Sequence, residues 1–260
     1  MDAAVALLPE ALGPSALLMA AAVALFAGLV KGVVGFAMPM IMISGLGSFL
    51  SAELALALLI LPTLATNLIQ SFRQGWRLAW AVVRGYWRML VAISVMIFLS
   101  AQIMTAIPQG LLFALLGVPI VIYALLQLMG RDLRFNMVHR ERWEWALGGI
   151  GGFYGGISGV WGPPLIAFLL SAGVPKTENM RVQGVVYMVG GVMLLLGHLQ
   201  SGVLNAETIP ASALMVVPAL LGLWIGFRLH DRVDQSTFRR WTLVVLAISG
   251  LNLIRRALGW

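Results

Sequence analysis

A single lysine, Lys31, lies in an otherwise apolar stretch of the sequence, between Gly28 and Gly32. An ionisable side chain inside a membrane segment is a functional candidate by default, because its charge is costly to remove from water. At a break in a membrane helix, the ammonium could bind an anion together with the dipoles of the half-helix ends. The alternative is a cytoplasmic loop lysine, which the positive-inside rule would explain equally well.

Polar side chains also follow two lines in the apolar sequence. Thr63, Thr66, Asn67 and Gln70 are spaced i, i+3, i+4 and i+7, which is one face of a helix. The corresponding line in the second half holds Gln183, Tyr187, Gly190, Gly191 and His198. Polar groups in a bilayer turn inward, so we expect the two faces to meet each other or the helix breaks. Interhelical hydrogen bonding and a substrate pathway explain them equally well.

The sequence lacks the residue combinations that catalytic sites require. The histidines at 139, 198 and 230 have no metal-ligand spacing, and no pair of carboxylates shares a membrane face. The run Gly32-Val-Val-Gly35 is not a phosphate loop, because no Gly-Lys-Ser/Thr follows it. With no cysteine, thiolate metal sites and thiol redox chemistry are excluded. We therefore predict a protein that is not an enzyme and uses no cofactor and no metal.

The composition is that of a membrane protein. Of the 260 residues, 60% are hydrophobic and 10% charged, and the mean hydropathy is +0.95. Soluble domains run at about 45–50% apolar and about 25% charged residues. The net charge of +7 would suggest nucleic acid in a soluble protein. Here basic loops facing the cytoplasm and anionic lipid explain it, so we expect a lipid partner and no nucleic acid.

Two glycine-rich stretches are the elements that must position the polar residues. They are residues 28–39 and 152–163. Sliding one onto the other pairs Gly28 with Gly152, Gly32 with Gly156, Gly35 with Gly159 and Pro39 with Pro163. A broken helix is tolerated in a membrane only where protein or a water-filled cavity surrounds it. Paired breaks in two halves of a chain indicate a transporter's binding site.

Apolar lengths and positive charges predict the topology. Six stretches fit single spans of about 20 residues, at 54–72, 89–105, 110–130, 178–198, 208–228 and about 240–254, whereas 15–50 and 146–172 are too long for one. Most Lys and Arg residues fall in 73–88, 131–145, 176–181 and 228–240, which we place inside. The spans then alternate only if each long stretch returns to its own side as a hairpin. The second should be re-entrant; the first is either a hairpin or two short spans.

The predicted fold is therefore an all-α membrane protein of two inverted repeats, each a Gly/Pro-broken re-entrant helical hairpin plus three transmembrane helices. Its parts are an external N-terminal tail (1–14), repeat 1 (15–130), a cytoplasmic connector (131–145) and repeat 2 (146–258). Arg73, Arg77, Arg84 and Arg88, beside Trp76, Trp80 and Trp87, predict a helix at the cytoplasmic interface. Arg255 and Arg256 fall outside, against the rule; a cytoplasmic C-terminus would make the last span wrong.

The halves resemble the sulfite/sulfonate exporter family TauE/SafE, in which Gly-rich, Pro-ended membrane hairpins open two repeats. The resemblance rests on the run from Gly155 to Pro164 and on Arg239-Arg240. The first copy departs from the family pattern at Gly35-Phe-Ala-Met-Pro39 and by placing Lys31 where a small residue is common. The resemblance implies an inner-membrane secondary transporter of a small anion, with sulfite, sulfonates or related organosulfur acids as candidates.

We accordingly expect an alternating-access transporter that works as an exporter, with its N-terminus outside the cell and a homodimer as a candidate assembly. A passive anion channel and a non-transporting assembly subunit are the alternatives. The expected substrate-binding residues are Lys31, Gly32, Gly35, Asn67, Gln70, Ser158, Gly159, Trp161, Gln183 and Tyr187.

The predicted topology can be tested with single cysteines, since the chain has none of its own. An impermeant maleimide applied to intact cells should label Ser51→Cys and leave Ala172→Cys unlabelled, because the first faces outside and the second faces the cytoplasm. Lysed cells provide the control, in which both should react. Equal labelling of the two variants in intact cells would contradict the inverted repeat.

Overall fold

The computed structural model describes residues 12–131, 135–229 and 234–259, and these form eleven α-helices and no strand. The first half contains α1 (Pro14–Val34), α2 (Met38–Leu46), α3 (Ala52–Phe72), α4 (Trp76–Gly85), α5 (Trp87–Ile103) and α6 (Gln109–Leu128). The second half contains α7 (Arg140–Ser158), α8 (Gly162–Ser171), α9 (Lys176–Ser201), α10 (Thr208–Leu229) and α11 (Gln235–Ala257). Short 3₁₀ turns occur at Met104–Ala106 and Met137–His139.

Six of the described helices are long and apolar enough to cross a membrane, namely α1, α3, α5 with its 3₁₀ extension, α6, α9 and α10. Large apolar side chains such as Leu18, Val217 and Ile248 are more than half exposed on the outer surface, where lipid would cover them. The prediction of an all-helical, multi-pass membrane protein is confirmed. The predicted span at about 240–254 is helical, but α11 carries arginines at both ends and is not among the six.

Both long apolar stretches are broken at the predicted glycines. Gly35 ends α1 with φ 85° and donates its N–H to Lys31 O at 2.7 Å. Gly159 ends α7 with φ 72° and donates to Gly155 O, also at 2.7 Å. Such left-handed geometry suits glycine, which lacks a Cβ. A short helix with proline at its second position follows each break, because proline fits the first turn of a helix.

The second long stretch begins earlier than predicted. The helix α7 starts at Arg140, inside the connector expected at 131–145, because Arg140 pairs with Glu144 one turn later and Trp143 packs on Phe135 at 4.4 Å between ring centroids. The mixed charge there belongs in part to the first turn of this helix, in which Arg140, Glu141 and Arg142 are exposed. The predicted tail to residue 11, Arg134, His230 and Arg232 lie outside the described residues.

The C-terminal arginines have a local structural role. The Arg256 guanidinium donates to the carbonyls of Gly47 and Leu50, the latter at 2.6 Å, and lies 4.3 Å from the centre of the Phe113 ring. These carbonyls follow the C-terminal end of α2, where a cation is favourable. The positive charge at this end of the chain therefore stabilises α2, and topology is not needed to explain it.

In each half, the helix before the break packs against a helix of the other half. The helix α1 packs along α10 of the second half, and α7 packs along α5 of the first. A Cβ added at Gly32 would lie 2.5 Å from Leu223 O, and one at Gly156 would lie 2.4 Å from Ile97 O. Gly28 and Gly152 meet carbonyls as closely. The matching glycines therefore permit close approach of helix backbones, which is how small residues act in membrane bundles.

The helices α3 and α9 form the centre of the molecule and run antiparallel. Gly191 packs near Leu64, whereas Gly184 packs near Gln70, so the numbering rises along α3 as it falls along α9. The outer pair α6 and α11 is also antiparallel, because Gly117 lies against Gly250 and Gly110 against Ala257. In each of these two pairs, one helix of the first half thus runs opposite to one helix of the second half.

The close packing of α7 predicts different effects for two glycines of the same helix. In Gly156→Ala the new methyl would meet Ser100 Oγ at 2.0 Å, so we expect a loss of about 1–3 kcal/mol of stability. In Gly149→Ala nothing lies within 4 Å, and higher helix propensity should add up to about 1 kcal/mol. Thermal unfolding of the two purified variants in detergent would measure this. An equally stable Gly156→Ala variant would contradict the packing.

Candidate functional site

A small cavity of about 20 Å³ lies between the two helix breaks, with room for about one water molecule. The matching stretches of the two halves line it, together with one residue from each central helix. These residues are Phe36, Ala37, Pro39 and Met40 at the first break, Gly159, Val160, Trp161 and Gly162 at the second, and Asn67 and Tyr187.

Asn67 joins the two predicted polar faces at the cavity. It is buried on α3, its Nδ2 donates to Tyr187 O at 3.1 Å, and its Oδ1 accepts a hydrogen bond from Lys31 Nζ. Thr63, Thr66 and Gln70 on the same face are buried as well. The expectation that the polar faces of α3 and α9 meet is confirmed, and Asn67 is the residue that carries the contact to the cavity wall.

Lys31 lies in the last turn of α1 and is only 1% exposed, which does not fit the loop interpretation. Its Nζ donates to Thr66 Oγ1 at 2.9 Å and to Asn67 Oδ1. Both acceptors are neutral, and within the described residues no carboxylate pairs with Lys31. The lysine does not line the cavity itself; it lies directly behind Asn67. An ammonium at this position would lack the negative charge that balances a buried cation.

Two aromatic side chains supply unused donors at the wall. The rings of Trp161 and Tyr187 meet edge to face, with centroids 6.1 Å apart. Trp161 Nε1 and Tyr187 Oη are both buried and have no partner among the described residues. Buried polar groups are normally hydrogen-bonded, so each of these atoms has capacity for a ligand.

The short helices α2 and α8 begin at the cavity. The first N–H groups of a helix have no acceptor within it, and they carry the positive end of the helix dipole. Pro39 on α2, and Pro163 and Pro164 on α8, have no N–H, so the available donors include Met38, Met40 and Gly162. Both helix starts add positive potential at the cavity, which suits an anion. Within the described chain no group of three His, Asp or Glu side chains could hold a metal ion.

The structure brings four of the ten expected residues to the cavity wall, namely Asn67, Gly159, Trp161 and Tyr187. Five others make contacts away from the cavity wall. Gln70 Nε2 donates to Gly35 O at 3.1 Å and to Met180 O at 3.2 Å, and Ser158 Oγ accepts from Val160 N at 3.0 Å. Gln183 bonds Asn179 on its own helix, and Gly32 packs on α10. Lys31 is the sixth, behind the wall.

Sequence reasoning missed the apolar part of the wall. Six lining residues have no polar side chain that would single them out in the sequence, namely Phe36, Ala37, Pro39, Met40, Val160 and Gly162. The signal that could have found them is the repeat itself, since all six lie in or beside the aligned stretches 28–39 and 152–163.

A multi-pass helical bundle with two broken helices around a buried, partly polar cavity is the architecture of a membrane transport protein. A family model described as sulfite exporter TauE/SafE matches residues 20–253, and the chain belongs to this family. The family resemblance read from the sequence is thereby confirmed. Searches of curated proteins and of solved structures found no match.

Valine at the breaks should be poorly tolerated. Gly159→Val and the matched control Gly130→Val each place a side chain at positive φ, which costs about 1–2 kcal/mol. Only at Gly159 would the Cβ also meet Leu59 Cδ1, at 2.7 Å, whereas Gly130 has nothing within 4 Å. We expect a clearly lower melting temperature for Gly159→Val than for Gly130→Val, and a smaller decrease for Gly35→Val. Equal melting temperatures for the Gly159 and Gly130 variants would contradict the claim that Gly159 is required because a larger residue would clash with Leu59.

Proposed function

We propose that this protein is a secondary transporter that exports a small sulfur-containing anion, such as sulfite or a sulfonate, across the cell inner membrane. The observation that carries the proposal is the buried Lys31, which has two neutral hydrogen-bond acceptors and no balancing carboxylate. A bound anion would supply the missing negative charge. Family membership supports the export of a sulfur oxyanion.

Each group near the cavity has a role in binding an anion. Lys31 supplies charge from behind the wall, and the starts of α2 and α8 supply N–H groups and helix dipoles. Tyr187 Oη and Trp161 Nε1 donate to the oxygen atoms of the anion. Asn67 links these parts, because its amide contacts both Lys31 and the Tyr187 carbonyl. Gly32, Gly35, Gln70, Ser158 and Gly159 hold the breaks in position, and Gln183 adds a polar side chain on the buried face of α9.

The antiparallel arrangement of corresponding helices supports an inverted repeat. The two breaks have nearly the same backbone geometry, and they approach α3 at different heights. The first contacts Gln70 near the end of α3, whereas the second meets Leu56 and Leu59 near its start. At 1.5 Å per residue the positions of these side chains on α3 lie roughly 16–21 Å apart along the helix, and both breaks line the same cavity. Movement of one re-entrant hairpin could therefore open the cavity to one side while the other hairpin keeps it closed.

A carrier fits the geometry better than a passive channel. The cavity between the breaks holds about one water molecule, too little for a hydrated ion path. An anion would enter only when the hairpins rearrange, which is the behaviour of alternating access. In this proposal the N-terminus lies outside the cell. The residues that line the cavity all come from a single chain.

Transport by the purified protein in liposomes tests this function. A panel of labelled small anions, including sulfite and several sulfonates, is offered with and without a pH gradient. A carrier should show saturable uptake and counterflow, whereas a channel would carry high current without counterflow. A membrane assembly subunit would move none of the anions and would copurify with a partner.

Removal of the Lys31 charge should weaken anion binding. Lys31→Met keeps the approximate length of the side chain, and loss of a charge-assisted contact of about 1.5–3 kcal/mol corresponds to roughly 10- to 150-fold lower affinity. The control is Arg77→Met, which removes one exposed positive charge from α4 and should bind normally. Substrate affinity is measured on protein that elutes as a single species. Wild-type affinity in Lys31→Met would show that Lys31 does not bind the anion, and that helix ends and neutral donors form the site.

A further inference from the structure

A second cavity, of about 380 Å³, opens where α4 meets α5 and where α7 and α9 begin. We call it the charged vestibule. Its polar lining consists of Arg88, Arg140 and Arg181, of Glu141, Glu144 and Glu178, and of Tyr86. The vestibule adjoins the first break through α9, because Met180, next to Arg181, packs on Gly35 and accepts a hydrogen bond from Gln70.

Two ion pairs lie in the vestibule, and they differ in burial. Arg88 pairs with Glu141 at 2.7 Å, and the Glu141 side chain is 68% exposed. Arg140 Nε donates to Glu144 Oε1 at 3.0 Å, but the Glu144 side chain is only 3% exposed. The second carboxylate oxygen of this residue, Glu144 Oε2, has no hydrogen-bond partner among the described residues. Glu144 is thus a buried acid with one oxygen unused.

A buried carboxylate with hydrogen bonds to only one of its oxygens is unfavourable unless the other oxygen gains a proton or a ligand. An ionised carboxylate can accept about four hydrogen bonds, and a buried oxygen without any loses the solvation it had in water. A proton on Oε2 would remove the charge and convert that oxygen to a donor. The bond to Arg140 would weaken at the same time, because the attraction between opposite charges is lost.

Arg140 connects the protonation of Glu144 to the neighbouring aromatic residues, because its guanidinium contacts them. Its guanidinium lies 5.1 Å from the centre of the Tyr86 ring and 5.9 Å from that of Phe168, and its side chain is 47% exposed. Phe168 belongs to α8, the short helix that begins at the central cavity. Burial raises the pKa of the Tyr86 phenol, so this neighbour stays protonated near neutral pH.

We propose that the charged vestibule binds an oxyanion and a proton together: Glu144 takes the proton on Oε2, and the released Arg140 guanidinium binds the anion. The proton comes from a hydronium ion of the vestibule water and returns to water on release. The other charged groups that line the vestibule with Glu144 are Glu141 on α7, Arg88 on α5, and Glu178 and Arg181 on α9. This inference rests on the proposed transport function and adds to it a proton-linked capture step. By linkage, protonation and anion binding favour each other to the same degree.

The test measures proton uptake when methanesulfonate, which stays a monoanion over the range used, is added to weakly buffered purified protein. Wild-type protein should take up as much as about one proton per bound anion, and affinity should rise up to about 10-fold per pH unit as pH falls. Glu144→Gln should bind the anion without proton uptake and with no pH dependence. The matched control Glu141→Gln, on the same helix but exposed, should retain the proton uptake.

Anion binding by the wild type without proton uptake would overturn this inference and leave the transport function standing. Proton uptake that persists in Glu144→Gln would overturn it as well. If neither binding nor liposome transport of any sulfonate or sulfite occurs, the proposed function fails together with it. Arg140→Gln provides an independent variant should Glu144→Gln not elute as a single species. It should bind methanesulfonate about 10-fold or more weakly, without linked proton uptake, and wild-type behaviour of this variant would overturn the inference.

Discussion

The structure depends on satisfying the backbone at two interrupted helices. Lipid offers no hydrogen bonds, so each N–H and C=O freed by a break requires a partner in the protein, in water or in a bound ligand. At the first break, Gln70 reaches from α3 to Gly35 O. At the second, Ser158 accepts from Val160 N, and His198 Nε2 lies 2.8 Å from Gly156 O. Since a carbonyl only accepts, His198 carries its proton on Nε2.

These bonds require helices that approach closely, and the glycines provide the approach. Apolar side chains gain little by leaving lipid for one another, so association in a membrane relies on packing and on hydrogen bonds. Gly28 and Gly32 on α1 face Gly222 and Gly226 on α10, and the backbones touch. The same glycines that made the repeat visible thus place the polar side chains of neighbouring helices within bonding distance of the breaks.

The sequence was sufficient for features that depend on local chemistry. A helix break in each of the two glycine-rich stretches, and the inward polar face of α3, followed from residue type and spacing. The cavity wall could not be predicted in the same way. Phe36, Met40 and Val160 line it because two distant stretches meet there, and apolar residues look alike whether they face lipid, core or cavity. Likewise, nothing in sequence separates Glu144 from Glu141, whereas their burial does.

The two halves share a backbone arrangement but differ in chemistry. In the aligned stretches Lys31 corresponds to Gly155, and Ala37 corresponds to Trp161. The first half therefore contributes the cation, and the second half contributes the aromatic donors. In the proposed mechanism an anion held by both halves would be bound fully only when they are together. Separation of Lys31 and Asn67 from Trp161 and Tyr187 would weaken binding, so the movement that opens the cavity would also favour release of the anion.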